Sequence, residues 1–131
     1  MHYKNKLNLL LSHLFSRTGY PKDENLLRIK KALKYLGLDF KETFKVHVVG
    51  TNGKGSTALF LAKLFERKYK KVGLFTSPHY IDFSERIQIN SKQIKPKKLY
   101  PILTNLLYDG FFQNYSFFEL TFLTALIYFK A

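Results

Sequence analysis

Eight consecutive residues, Gly50-Thr51-Asn52-Gly53-Lys54-Gly55-Ser56-Thr57, carry the densest chemistry in the chain. The glycines let backbone N–H groups turn inward as an anion nest. Lys54 can reach terminal phosphates as a point charge. Ser56 or Thr57 can offer a hydroxyl to phosphate or to Mg²⁺, a hard cation that prefers oxygen. Val46, Val48 and Val49 come before these residues and read as a buried strand. An amphipathic helix over about 54–68 follows, with Leu59, Leu61, Leu64 and Phe65 on one stripe. Its N-terminus adds partial positive charge at the same point. Strand, glycine turn and helix, in this order, are the context a phosphate-binding loop requires. The general pattern GxxxxGK[ST] would place Gly at position 48 and Ser or Thr at position 55, where this chain has Val48 and Gly55. The plain alternative is a glycine-rich turn; strand, lysine and helix register together favour phosphate.

Two further clusters could serve a site. Ser77-Pro78-His79 follows a second short apolar strand, Val72 to Phe75. Alone it reads as an ordinary turn, but its place at the carboxyl end of a strand is where α/β sites form. His79 as a lone loop histidine is ordinarily just solvated. Arg86 could hold an anionic substrate or pair with Glu85. Ser116 is a good N-cap for a helix over about 117–129. Phe117 or Phe118 could stack on a flat ring, and Ser116 or Glu119 could add polar contacts. The alternative there is an N-capped core helix, and both readings can hold together. No Ser-His-Asp set, no cysteine nucleophile and no metal cluster emerges among His2, His13, His47 and His79. His47, inside the first strand, reads as structural.

The remaining elements must position these clusters. Leu7, Leu10, Leu11, Leu14 and Phe15 fall at helical spacing over 3–17, and Gly19-Tyr20-Pro21 breaks that helix. Leu26, Leu27, Ile29, Leu33 and Leu36 repeat the pattern over 24–36, with Gly37 as C-cap. The strand, glycine turn, helix, strand order is a βαβ unit, which favours a parallel sheet. Residues 86–89 alternate as a half-exposed strand, Asn90-Ser91 is a turn, and Gln93-Ile94 can pair back. Pro96 suits the first turn of a helix over about 97–108, ended by Asp109-Gly110. The expected fold is α/β: a P-loop-type parallel sheet with flanking helices, and incomplete. The last helix is apolar on almost every face and demands burial on several sides. No strand follows it before Ala131, so another chain completes the sheet or the sequence is a fragment.

The 131 residues suit one compact domain. With 46% hydrophobic and 17% aromatic residues, the chain is not disordered. The absence of cysteine excludes a disulfide framework and any cysteine-based zinc site. The first 17 residues lack the pattern of a secretory signal. The most apolar stretch, Phe117 to Phe129, carries Glu119 and is too short to span a bilayer. A soluble, cytoplasmic protein is expected. Net charge is +13, and 21 of the 22 basic residues lie before Leu99. Such an excess could favour nucleic acid. Without a nucleic-acid motif or a dense basic block, the expected reading is a solvated basic surface, with some lysines serving a phosphate-rich ligand.

The departures from the general phosphate loop point to one family. Gly50 to Ser56 resembles the phosphate loop of folylpolyglutamate and dihydrofolate synthases, in the Mur ligase superfamily. The inserted Gly55 favours the folate branch over the cell-wall Mur ligases, which usually place Thr or Ser directly after the lysine. Gly73-Leu74-Phe75-Thr76-Ser77-Pro78-His79, continued by Phe83-Ser84-Glu85-Arg86-Ile87, resembles the family's omega-loop signature. Ser116-Phe117-Phe118-Glu119 resembles its TFFE-like stretch, with Ser for the usual Thr. The first two helices resemble its N-terminal segment.

The resemblance implies an ATP- and Mg²⁺-dependent ligase that adds L-glutamate to dihydropteroate or tetrahydrofolate in two steps. A carboxylate is phosphorylated to an acyl phosphate, which the amine of glutamate then attacks. It implies Thr51, Asn52, Gly53, Lys54, Gly55, Ser56 and Thr57 at the nucleotide, with Lys54 catalytic through its charge. Ser77 and Ser56 would ligate Mg²⁺, and Ser116, Phe117, Phe118, Glu119, His79 and Arg86 would line the substrate pocket. Residues 1–44 would be a helical segment and 45–131 the start of the P-loop core. The family's Mg²⁺-binding glutamate, a later histidine ligand and the C-terminal Rossmann-like domain find no counterpart, so the expectation is an N-terminal portion, inactive alone and monomeric when full length. The alternatives are a non-catalytic nucleotide-binding module, a basic nucleic-acid-binding P-loop protein and a Mur-type ligase.

Overall fold

The structure, a computed structural model, describes residues 2–17, 26–50 and 53–131. In chain order the elements are α1 (His2–Phe15), α2 (Leu26–Leu36), α3 (Lys54–Phe65), β1 (Gly73–Phe75), β2 (Ile87–Ile89), β3 (Lys92–Gln93), α4 (Pro96–Tyr108) and α5 (Phe117–Lys130). Short 3-10 turns occupy Phe83–Arg86 and Gly110–Phe112. The chain divides into two compact units, residues 1–41 with 96–131, and residues 42–95. The N-terminal helices therefore share a unit with the last two helices rather than forming a segment that ends at residue 44. The expected breaker at Gly19-Tyr20-Pro21 lies outside the described residues.

The first unit is helical. α1 packs on α4, α4 on α5, and α1 and α2 on α5. The sequence spacing explains the contacts. Leu7, Leu10 and Leu14 bury one stripe of α1, and Leu99, Leu103, Leu106 and Leu107 bury one stripe of α4. Leu120, Leu123, Thr121, Thr124 and Ala125 do so for α5. Each fully buried leucine contributes about 1.5–3 kcal/mol relative to an exposed one. The hydroxyls of Thr121 and Thr124 donate to the carbonyls of Phe117 and Leu120, which makes their burial tolerable. α2 departs from its expected stripe: Ala32 is its buried residue, while Leu26 and Leu27 are exposed. Gly37 ends α2 as expected, at φ 71°, with the Leu38 amide donating to the Leu33 carbonyl.

The second unit is a three-stranded sheet, order β1-β2-β3, with α3 packed on β1. Gly73 opposes Ile89 and Phe75 opposes Ile87 in antiparallel register. Asn90 and Ser91 both take positive φ, 50° and 66°, and form the tight turn that returns the chain to β3. Phe83, Ile87 and Ile94 form the buried centre. The α/β class is as expected, and its detail differs. The described strands pair antiparallel, and residues 46–49 belong to no strand. A valine run becomes a strand only through a partner's N–H and C=O groups, and no described strand runs beside it. Val46 and Val49 accordingly stay 50% and 74% exposed, and His47 is also exposed rather than structural. Among the described residues no helix is long and apolar enough to cross a membrane.

Candidate functional site

Gly53 sits at φ 72°, in the left-handed region that favours glycine, and is the N-cap of α3. The Thr57 amide donates to its carbonyl at 2.9 Å, closing the first helical turn. No side chain caps this terminus and no acidic residue lies in its first turn. Lys54, Gly55, Ser56 and Thr57 are all exposed there. Amides at such a terminus seek an acceptor oxygen, and the nearby lysine favours an anionic one. The donor set thus fits a phosphate. Thr51 and Asn52 lie outside the described residues.

The second cluster is a loop organised by one carboxylate. Glu85 accepts the amides of Tyr80, Ile81 and Asp82 at 2.9, 2.9 and 2.7 Å. Asp82 caps the following 3-10 turn reciprocally with Glu85. These amide bonds, led by that of Tyr80, hold the Glu85 carboxyl below the usual glutamate range. The loop also meets the sheet, because the Thr76 amide donates to the Arg86 carbonyl at 3.0 Å. Ser77 is exposed and precedes Pro78 through a cis peptide. The loop tip presents Tyr80 and Ile81, more than nine-tenths exposed.

His79 and Arg86 are brought together. The buried Arg86 donates its Nε–H to His79 Nδ1 at 2.7 Å. That bond makes Nδ1 an acceptor and places the ring proton on Nε2. Burial first, and then the Arg86 charge, lowers the His79 pKa, against the opposing pull of Glu85 and Asp82. Glu85 is engaged by loop amides, and the Arg86 guanidinium carbon also lies 5.7 Å from the Phe83 ring centroid.

The third cluster lies in the helical unit. Ser116 caps α5, accepting the Glu119 amide at 3.2 Å, while Glu119 accepts the Ser116 amide at 3.0 Å. This is a capping box. Glu119 is 2% exposed, and its oxygens also receive Nε and Nη2 of Arg28 at 2.9 and 3.2 Å. Phe117 packs against Phe15, ring centroids 5.2 Å apart, and Phe118 remains 48% exposed. Of the four predicted residues, Phe118 presents the most surface and Glu119 the least. Among the described residues no group of three His, Cys, Asp or Glu gathers, which leaves the Ser56 and Ser77 hydroxyls as the metal-ligating candidates read from the sequence.

Two arginines escaped the sequence reading. Arg17 donates to the carbonyl of Phe112 at 2.6 Å, and the Phe117 amide donates to the Arg17 carbonyl at 3.0 Å. Arg28 donates to the Asn114 carbonyl at 2.6 Å. Both partners lie more than 80 positions along the chain, beyond any periodicity signal. Only a basic residue beside an apolar stripe marked them.

No family profile matches the chain. Individual proteins do. Over 109 residues, 82% of this chain, it is 41% identical to the dihydrofolate synthase/folylpolyglutamate synthase of Buchnera aphidicola subsp. Schizaphis graminum. The chain belongs to the dihydrofolate synthase/folylpolyglutamate synthase family. Solved structures agree with that assignment. A Mycobacterium tuberculosis folylpolyglutamate synthase complexed with ADP matches 97% of the chain at TM-score 0.81 and 29% identity. A folylpolyglutamate synthase complex with AMPPCP and folate matches 99% at TM-score 0.79 and 30% identity. The chain spans about a quarter of the Buchnera relative, 26%, and 30% and 32% of the two solved chains.

Proposed function

We propose that this chain serves an ATP-dependent ligase that adds L-glutamate to a pteroate or folate. The observation that carries the reading is the N-terminus of α3, where Gly53, Lys54, Gly55 and Ser56 present amides, charge and hydroxyl with no side-chain cap. The complexes of two similar structures with ADP, and with AMPPCP and folate, support it.

Mg²⁺–ATP, when bound, would supply a phosphoryl group to the substrate carboxylate and leave as ADP, and the glutamate amine would then displace phosphate from the acyl phosphate. The residues of this chain bind and align. Thr51 to Thr57 would hold the phosphates, with Lys54 neutralising charge that grows during transfer. The Ser56 and Ser77 hydroxyls would hold the cation through oxygen. His79, with its proton fixed on Nε2 by Arg86, would offer anionic substrate a neutral donor. Phe118 offers a ring to the flat pterin, while Ser116, Phe117 and Glu119 shape the wall behind it.

The test is glutamate-dependent ADP release with dihydropteroate or tetrahydrofolate, alongside nucleotide binding. Release that Lys54→Ala abolishes supports the ligase. Tight nucleotide binding with no glutamate-dependent release, by the chain or by a version extended with the remainder of the Buchnera relative, sinks it in favour of a binding module.

A further inference from the structure

The segment that leads into α5 is irregular backbone, yet it must hold Ser116 and Phe118 still if they line a substrate wall. Arg28 grips that segment at three places. Its Nη2 donates to the Asn114 carbonyl at 2.6 Å, and its guanidinium carbon lies 4.4 Å from the Tyr115 ring centroid. Its Nε and Nη2 form a forked pair with Glu119. The lock is reciprocal, because the Tyr115 hydroxyl donates to the Arg28 carbonyl at 2.9 Å. These contacts fall on both sides of Ser116-Phe117-Phe118. Glu119, nearly sealed from solvent, links them to the capping box through the Ser116 amide.

A cation that served only helix stability would need one partner. Here a fork with fixed geometry joins a carbonyl, an aromatic face and a carboxylate, which is what guanidinium does and an ammonium does not. We infer that Arg28 is a positioning residue: acting through Glu119 and Tyr115, it sets the place of Ser116 and Phe118 for a flat heteroaromatic acid. The inference rests on the proposed folate reading of α5. It gives Glu119 a supporting role from behind the wall rather than a direct contact.

The test is equilibrium binding of folate and, separately, of AMPPCP to the chain and to Arg28→Ala, Arg28→Lys and Glu119→Gln, well below each variant's melting temperature. Misplacing a binding group by an ångström costs on the order of tenfold or more. The expected result is that Arg28→Ala weakens folate at least about tenfold, with AMPPCP affinity unchanged and Arg28→Lys recovering only part. Glu119→Gln keeps the shape and the acceptor for the Ser116 amide, so it reads the charge should Arg28→Ala fail to fold. It is expected to weaken folate alone. Folate affinity unchanged in either folded variant, with only a lowered melting temperature, overturns the inference. Absence of folate binding by the unsubstituted chain overturns the reading of α5 and the inference with it.

Discussion

Two helix N-termini in this chain are built in opposite ways. α5 begins with Ser116 and Glu119 exchanging side-chain and backbone hydrogen bonds, and Arg28 closes over the carboxylate. α3 begins with Gly53, which has no side chain to offer, and with Lys54 where an acid would be the stabilising choice. Orphan amides cost free energy wherever water or a cap does not meet them. At α5 the protein meets them itself. At α3 it leaves them to solvent and adds a cation, an arrangement that suits an incoming anion. One terminus is closed by its own side chains and the other has no side-chain cap.

The comparison breaks most visibly if the closed end proves expendable. Glu119→Ala removes one member of a nearly buried ion pair and half of the capping box. It should destabilise the helical unit by about 3 kcal/mol in urea unfolding. A loss below about 1 kcal/mol would mean that packing around Leu120 and Leu123 holds the helix without the pair. At the open end the prediction concerns binding instead. Lys54→Ala should weaken ATP or AMPPCP by roughly 10- to 100-fold, the worth of one charge-assisted contact, with the unfolding midpoint unmoved. Equal loss of stability would show that Lys54 is part of the fold. A smaller effect sharpens the contrast: Ser116→Ala should cost about 1 kcal/mol of stability, as lost N-caps do. The same unfolding measurement reads it.

The sequence showed this contrast unevenly. Ser116 as an N-cap, the Asn90-Ser91 turn and the Gly37 stop are local chemistry, and each forms where it was expected. The place of α4 was legible for the same reason, since Pro96 starts it and Asp109-Gly110 follows it. The valine run at 46–49 was not, because strand formation needs a partner that propensity cannot see. The stripe of α2 failed at Leu26 and Leu27, since amphipathic spacing says which face is apolar but not what covers it. At the site, the family and the helix that starts at Lys54 were legible from residue order. The capture of three amides by Glu85, and the clamps of Arg17 and Arg28, join residues through the fold. Spacing does not report them.

Glu85 supplies the smallest effect and the test of whether captured amides behave alike. Its carboxylate does for Tyr80, Ile81 and Asp82 what the box does for α5, but on an exposed loop. Its folded pKa lies below the unfolded value, so the charged form binds the loop more tightly. The stabilisation is therefore present above the ordinary glutamate pKa of about 4.3 and is lost as pH falls through the lower folded value. Protonation leaves fewer acceptor sites for three donors. Amide exchange at Tyr80, Ile81 and Asp82, corrected for its intrinsic pH dependence, should therefore quicken on acidification while that of the α4 core stays slow. Glu85→Gln should give the quickened loop already at neutral pH, with faster chymotryptic cleavage after the exposed Tyr80. If exchange at these amides ignores both changes, the loop is held by its junction with the sheet at Thr76 and Arg86, and the carboxylate is an ornament of the fold rather than its organiser.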